Sequence, residues 1–201
     1  MGSRDLARKL AEESVQYHRR FAADLTPTVA ALAELVAGAL ARGGKVLLFG
    51  NGGSASQAQH LAAEFVNRFE RDRQALAAIA LTCDGAALTS IANDDRYERV
   101  FARQVEALGR PGDVAIGLTT TGGSQSIVLG LRVARERGLI AIAFSGRDGG
   151  AAAREVEHAL VIPGASTARI QELHLLAGHI LCALVDERLF PRPAAGEADE
   201  E

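Results

Sequence analysis

The sequence predicts a three-layer, doubly wound α/β domain: a parallel sheet of five strands, helices on both faces, and a helical hairpin in front. Three observations predict it. Five short runs, 45–50, 76–82, 113–119, 139–145 and 158–163, are apolar almost throughout, as strands buried on both faces are. Stretches of helical spacing separate them, which is the alternation that builds a parallel sheet. The chain has 201 residues, 48% hydrophobic and 23% charged, enough for one substantial core.

The elements follow in order. From residue 3 to 22 apolar side chains recur at helical spacing, and Thr26-Pro27 offers an N-cap with proline at the first helical position. The run 29–40 is Ala, Leu and Val with few interruptions, so this second helix is buried on much of its surface, and Gly43-Gly44 ends it. The strand at 45–50 leads through glycines into a helix ending near Arg68. The strand at 76–82 is followed by a polar segment and a helix over 97–108. The strand at 113–119 leads through a Thr/Gly/Ser loop into a helix ending at Arg137. After the last two strands a long helix spans 166–189. Residues 1–190 thus read as one domain, with helices over 1–42 and the α/β core over 43–190. The proline, alanine and acid of 191–201 predict a disordered tail.

The formal net charge of −3 gives no bulk reason to bind nucleic acid or an anionic membrane. The charged N-terminus lacks a signal-peptide core, and no apolar stretch approaches the ~20 residues that span a bilayer, so a cytoplasmic protein is expected. Cys83 and Cys182 lack metal-ligand spacing and read as buried free thiols.

In open parallel sheets ligands sit beyond the carboxyl ends of the strands, which directs attention to the loops after Gly50, Thr82 and Thr119. Gly50-Asn51-Gly52-Gly53-Ser54 lets backbone approach a ligand, with Ser54 placed to cap the following helix; it reads equally as a tight strand-to-helix turn. It has neither the dinucleotide nor the P-loop spacing. Thr119-Thr120-Thr121-Gly122-Gly123-Ser124 puts four hydroxyls and free N–H groups at a helix N-terminus, a neutral phosphate cradle that needs no lysine. A plain Ser N-cap would not require three threonines in a row. His60 and Glu64 share a helix face, either as a solvated pair or, given their apolar neighbours, as a pair lining a cleft. In the last helix His179 lies among Ala177, Gly178, Ile180 and Leu181, where it reads as a core residue or as a ligand; His174 is equally ambiguous. By residue chemistry alone the ligand is a phosphorylated metabolite, with a metal as an option.

At these loops the chain resembles the sugar isomerase (SIS) fold and, within it, the phosphoheptose isomerases. The likeness runs through 50–54, 58–60 with Glu64, 92–94, 119–124, 146–149, and 166–171 with His179. It implies an aldose–ketose isomerase that converts sedoheptulose 7-phosphate to D-glycero-D-manno-heptose 7-phosphate through an enediol, for lipopolysaccharide or a related heptose-containing glycan. By the same resemblance Asn51, Gly52, Gly53, Ser54, Asn93, Asp94 and Gln171 contact the sugar. Thr119, Thr120, Thr121 and Ser124 hold the phosphate. His60, Glu64, Gln171 and His179 match zinc-associated positions, one zinc per subunit, with Glu64 as base and His179 handling protons on oxygen. Gln171 and His179 are ~12 Å apart along a helix, so both reach one ion only by leaning together or across a subunit boundary. The resemblance implies a homotetramer with its sites at subunit interfaces.

Two positions depart from the family pattern: Thr119-Thr120-Thr121 stands where Ser-Thr-Ser is common, and Gln57 where aspartate is often found. The segments 67–70, 89–94 and 189–191 also resemble a non-catalytic SIS relative that binds the bacterial replication initiator. That relative lacks counterparts of Glu64 and His179. A sugar-phosphate sensor on the same fold is the third reading.

Overall fold

The computed structural model describes residues 1–191; the expected acidic tail lies, apart from Pro191, outside the described residues. The elements are α1 (Ser3–Asp24), α2 (Thr26–Ala41), β1 (Val46–Gly50), α3 (Gly53–Val66), β2 (Ala78–Ala80), α4 (Gly85–Asp94), a 3-10 turn (Tyr97–Arg99), α5 (Ala102–Leu108), β3 (Val114–Thr119), α6 (Gln125–Glu136), β4 (Ile140–Gly146), α7 (Gly150–Glu155), β5 (His158–Ile162) and α8 (Thr167–Leu189). All strand pairs are parallel, in the order β2-β1-β3-β4-β5. The chain leaves β1 toward one edge and β3 toward the other, so the switch point lies between them, where Gly50 pairs with Leu118.

Alternate side chains of each strand feed two cores. Val46, Leu48, Ile116, Leu118, Ile142 and Phe144 pack under α2, α3 and α8. Leu47, Phe49, Ala115, Ala141 and Ala143 pack under α5 and α6. The predicted five-strand doubly wound sheet is thus the observed one.

Several elements differ from expectation, each for a local reason. Thr26 does not cap α2: its hydroxyl donates back to the Ala22 carbonyl, and α1 and α2 meet at Leu25 with a 64° bend. The polar segment after β2 is a helix, α4, whose N-cap Asp84 accepts the Ala87 N–H. The predicted helix over 97–108 breaks after its first turn, where Val100 and Phe101 are buried and the Phe101 ring stacks on Phe49. β2 shrinks to three residues because it is an edge strand paired only with β1. Cys83 is exposed; only Cys182 is buried. α8 is long and apolar enough by length and composition to cross a bilayer, contrary to the sequence reading, but it is packed against α2 and α3 as a core helix.

α3 and α8 run side by side in the same direction, and three fastenings hold them. At the start the Gln57 amide N–H donates to the Gln171 carbonyl at 2.6 Å. In the middle Gly178 lies against Leu61, so close that a Cβ there would sit 2.4 Å from Leu61 Cδ2. At the end the buried Arg73 guanidinium pairs with Asp186 at 2.8 Å and donates to the Glu64 and Phe65 carbonyls at 2.7 and 2.8 Å. Arg73 thereby satisfies the last turn of α3 while tying it to α8. The second Asp186 oxygen has no partner.

His174, ambiguous in sequence, is a core residue. Its Nε2–H donates to the Ser145 carbonyl at 3.1 Å, and its ring lies 5.9 Å from that of Phe144. Burial pushes its pKa down to about 4, against the partial support of that hydrogen bond.

Two tests follow from this packing. Asp186→Ala leaves Arg73 charged and unpaired in the interior, and should lower unfolding stability by about 3–5 kcal/mol in denaturant titration. His174 is neutral when folded but binds a proton near pH 6.5 when unfolded, so its stabilisation is complete above pH 6.5 and is lost as pH falls toward 4. His174→Gln, which keeps a donor to Ser145, should flatten that part of the stability profile, a difference on the order of 3 kcal/mol at pH 4.

Candidate active site

β1 ends at Gly50 because no side chain fits there: a Cβ would meet the Ser54 backbone at 2.7 Å. The chain turns through Asn51 and Gly52 into α3, and Gly52, with φ of 56°, takes the N-cap position. Ser54 does not cap the helix as expected; it is buried in its first turn. Gly53 faces Gln171, whose amide nitrogen is 2.5 Å from where a Cβ would stand.

Two turns further along α3, His60 meets His179 of α8. Their Nε2 atoms are 2.8 Å apart and the rings are T-shaped, with centroids 5.1 Å apart. Glu64 Oε1 lies 3.5 Å from His60 Nε2. Phe69, from the loop after α3, stacks on the other side of His179 at 5.5 Å. Burial, followed by the neighbouring His60, lowers the pKa of His179; Glu64 and Glu70 oppose this in part. The ring is therefore a neutral imidazole near neutral pH.

Of the four residues matched to zinc, the structure brings three together within one chain, His60 between Glu64 and His179. Gln171 stays two turns away at the start of α8, its amide over Gly53. Among the described residues no three His, Cys, Asp or Glu side chains form a closed metal centre. His60, Glu64 and His179 are of the donor types that zinc takes, but the two imidazoles stand at hydrogen-bond distance from each other. Two imidazole nitrogens face each other at 2.8 Å, so one must carry the proton that a cation would replace, and a carboxylate is adjacent.

The hydroxyl loop crosses the C-terminal end of β3 and rests on the loop after β4: at Gly122 a Cβ would stand 2.2 Å from the Gly149 oxygen. Its hydroxyls are not equivalent. Thr119 is buried, and its Oγ1 accepts the Gly122 N–H at 3.2 Å, so it shapes the loop instead of lining it. Thr121 is exposed, and its Oγ1 accepts the Gly123 N–H. Thr120 and Ser124 are half-buried, with Ser124 at the N-cap of α6. Asn93 and Asp94 end α4 in the open, the Asn93 amide donating to Asp94 at 2.8 Å.

Sequence reasoning missed two residues. Tyr97 donates its phenolic proton to Asn51 Oδ1 at 2.7 Å, and Asn51 Nδ2 donates to the buried Ser126 Oγ at 3.0 Å. Neither residue lies in a recognisable motif. Only the spatial closure of the switch point brings them together.

The family model for the SIS domain matches residues 10–146. The phosphoheptose isomerase of Thermodesulfovibrio yellowstonii is 49% identical over 191 residues, 95% of each chain. The solved phosphoheptose isomerase of Neisseria gonorrhoeae superposes with a TM-score of 0.88 at 39% identity, covering 92% of this chain and 100% of its own. That of Francisella tularensis does so with a TM-score of 0.90 at 37% identity, covering 93% of this chain and 100% of its own. The chain belongs to the SIS-domain family and, within it, to the phosphoheptose isomerases.

Proposed function

We propose that this chain isomerises sedoheptulose 7-phosphate to D-glycero-D-manno-heptose 7-phosphate, supplying a heptose-containing glycan such as lipopolysaccharide. The observation that carries the reading is the contact of His60, Glu64 and His179, within a chain so closely similar to phosphoheptose isomerases. The reaction takes a proton from C1 of the ketose, shifts a proton between the two neighbouring oxygens, and returns a proton to C2 of the enediol. Glu64, a carboxylate on the cleft face of α3, is the base that carries the carbon-bound proton. His179, kept neutral by burial, has a lone pair to accept a proton from one oxygen and a proton to give to the other. The loop amides and the hydroxyls of Thr120, Thr121 and Ser124 hold the phosphate at the start of α6. Thr119 supports them from beneath. Asn51, Gly52, Gly53 and Gln171 line the sugar, with Asn93 and Asp94 at its rim.

His60, Glu64 and His179 would hold a zinc ion. Such an ion polarises a carbonyl and stabilises the negative charge that develops on its oxygen. The same residues argue against a purely initiator-binding protein, which has no use for a carboxylate and two histidines kept in contact. The chain is further proposed to be cytoplasmic and to assemble as a homotetramer with sites at subunit boundaries. Support comes from α1, where Leu6, Leu10 and Val15 remain 44%, 45% and 50% exposed, and from the separation of Gln171 from the histidine pair.

Purified protein should convert sedoheptulose 7-phosphate, lose turnover on treatment with a chelator and regain it with zinc. Glu64→Gln should reduce kcat by roughly 10²–10⁴-fold without unfolding the chain; a variant as fast as the parent would remove Glu64 from the mechanism. In sizing experiments Leu6→Glu with Leu10→Glu should yield smaller species of reduced activity, whereas an active monomeric parent would refute the shared-site assembly.

A further inference from the structure

Asn51, Tyr97 and Ser126 come from three different connections: the loop after β1, the 3-10 turn behind α4, and the first turn of α6. Their side chains meet over the crevice between β1 and β3. The Tyr97 hydroxyl reaches Asn51 Oδ1 at 2.7 Å, and Asn51 Nδ2 reaches Ser126 Oγ at 3.0 Å. Ser126 is buried and belongs to the helix that opens on the phosphate loop. Tyr97 by contrast is 55% exposed, so its ring contributes little to the core. What the fold gains from that hydroxyl is therefore local: it fixes one amide. An untethered Asn51 side chain would sample several rotamers, and its carboxamide would turn freely. Held at both ends, the amide has one orientation, with a single N–H left for a ligand.

We propose that Tyr97 is a positioning residue for sugar recognition, acting through Asn51. Ser126 is the fixed post and Tyr97 the latch, which also draws the end of α4, with Asn93 and Asp94, toward the mouth of the crevice. The inference rests on the isomerase reading given above. Tyr97 touches no reacting atom. Its hydroxyl sets the direction of the Asn51 amide before the sugar arrives, and so favours a bound chain whose hydroxyl pattern matches that direction. The phosphate contacts do not involve the latch.

A double-mutant cycle on sedoheptulose 7-phosphate tests this, using Tyr97→Phe, Asn51→Ala, their combination, and Ser126→Ala as a second way to release the amide. Tyr97→Phe should lower kcat/KM roughly tenfold, the scale of one hydrogen bond. Its thermal unfolding and its inhibition by inorganic phosphate should match the parent. In the Asn51→Ala background the same change should have no further effect, and Ser126→Ala should resemble Tyr97→Phe. Fold-losses that multiply in the double variant, an unaltered kcat/KM in Tyr97→Phe, or a Tm lowered in step with activity would each overturn the inference. An inactive parent protein would instead overturn the isomerase reading, and the two failures are distinguished by that control.

Discussion

The site depends on how closely α3 approaches α8. Gly178 permits it, because any larger residue would drive its Cβ into Leu61. The neighbouring residue, His179, is thereby delivered to His60 at hydrogen-bond distance. Arg73 and Asp186 then fix the far end of the seam, and the Arg73 contact with the Glu64 carbonyl holds the backbone of the proposed base. A buried ion pair is a weak source of net stability, since desolvation offsets much of its attraction. Its value here lies in register. With the pair made, α3 cannot slide along α8, and three polar side chains from two helices keep their mutual spacing.

The doubly wound sheet separates two tasks that interfere when mixed. Phosphate binding favours positive potential, whereas the proposed proton transfer uses a carboxylate and a neutral imidazole. The proposed phosphate loop opens α6 on one side of the switch point, and the proposed proton-transfer groups lie between α3 and α8 on the other. In the proposed phosphate loop backbone amides and hydroxyls stand in for a lysine or arginine, while the Arg73 cation beside Glu64 donates to its backbone carbonyl and is paired with Asp186. A loop of this kind must keep its shape unaided. Thr119, turned inward onto the Gly122 N–H, and Gly122, pressed on the Gly149 oxygen, give it that shape.

What the sequence made legible follows from where the signals are local. Buried parallel strands read directly as apolar runs, and the long helices read from their spacing. α4 was readable in principle, since Asp84 is an N-cap, but its lack of a fully buried face hid the periodicity. The split of 97–108 was not readable, because it answers to packing against Phe49, 5.2 Å from Phe101 between ring centroids. In the site, His60 and Glu64 declare themselves by spacing on one helix. The partnership of His60 with His179 spans 119 positions, and only the family resemblance linked them in sequence. Tyr97 and Ser126 had no such link, and the inward turn of Thr119 depends on a backbone bend that composition does not encode.

Gln57 shows how one side chain fits this seam. Its amide nitrogen donates to the Gln171 carbonyl, an acceptor that a carboxylate could only repel. The amide therefore ties α3 to α8 at the level of Gly53 without adding charge there. It is not free of cost: Gln57 Oε1 is buried without a partner, a penalty of about 1–3 kcal/mol when such an oxygen stays dry. The tie compensates by holding Gln171 where its side-chain amide covers Gly53. In this chain the start of the seam is thus fastened by a neutral hydrogen bond and its end by an ion pair, leaving Glu64, the proposed base, as the carboxylate between them.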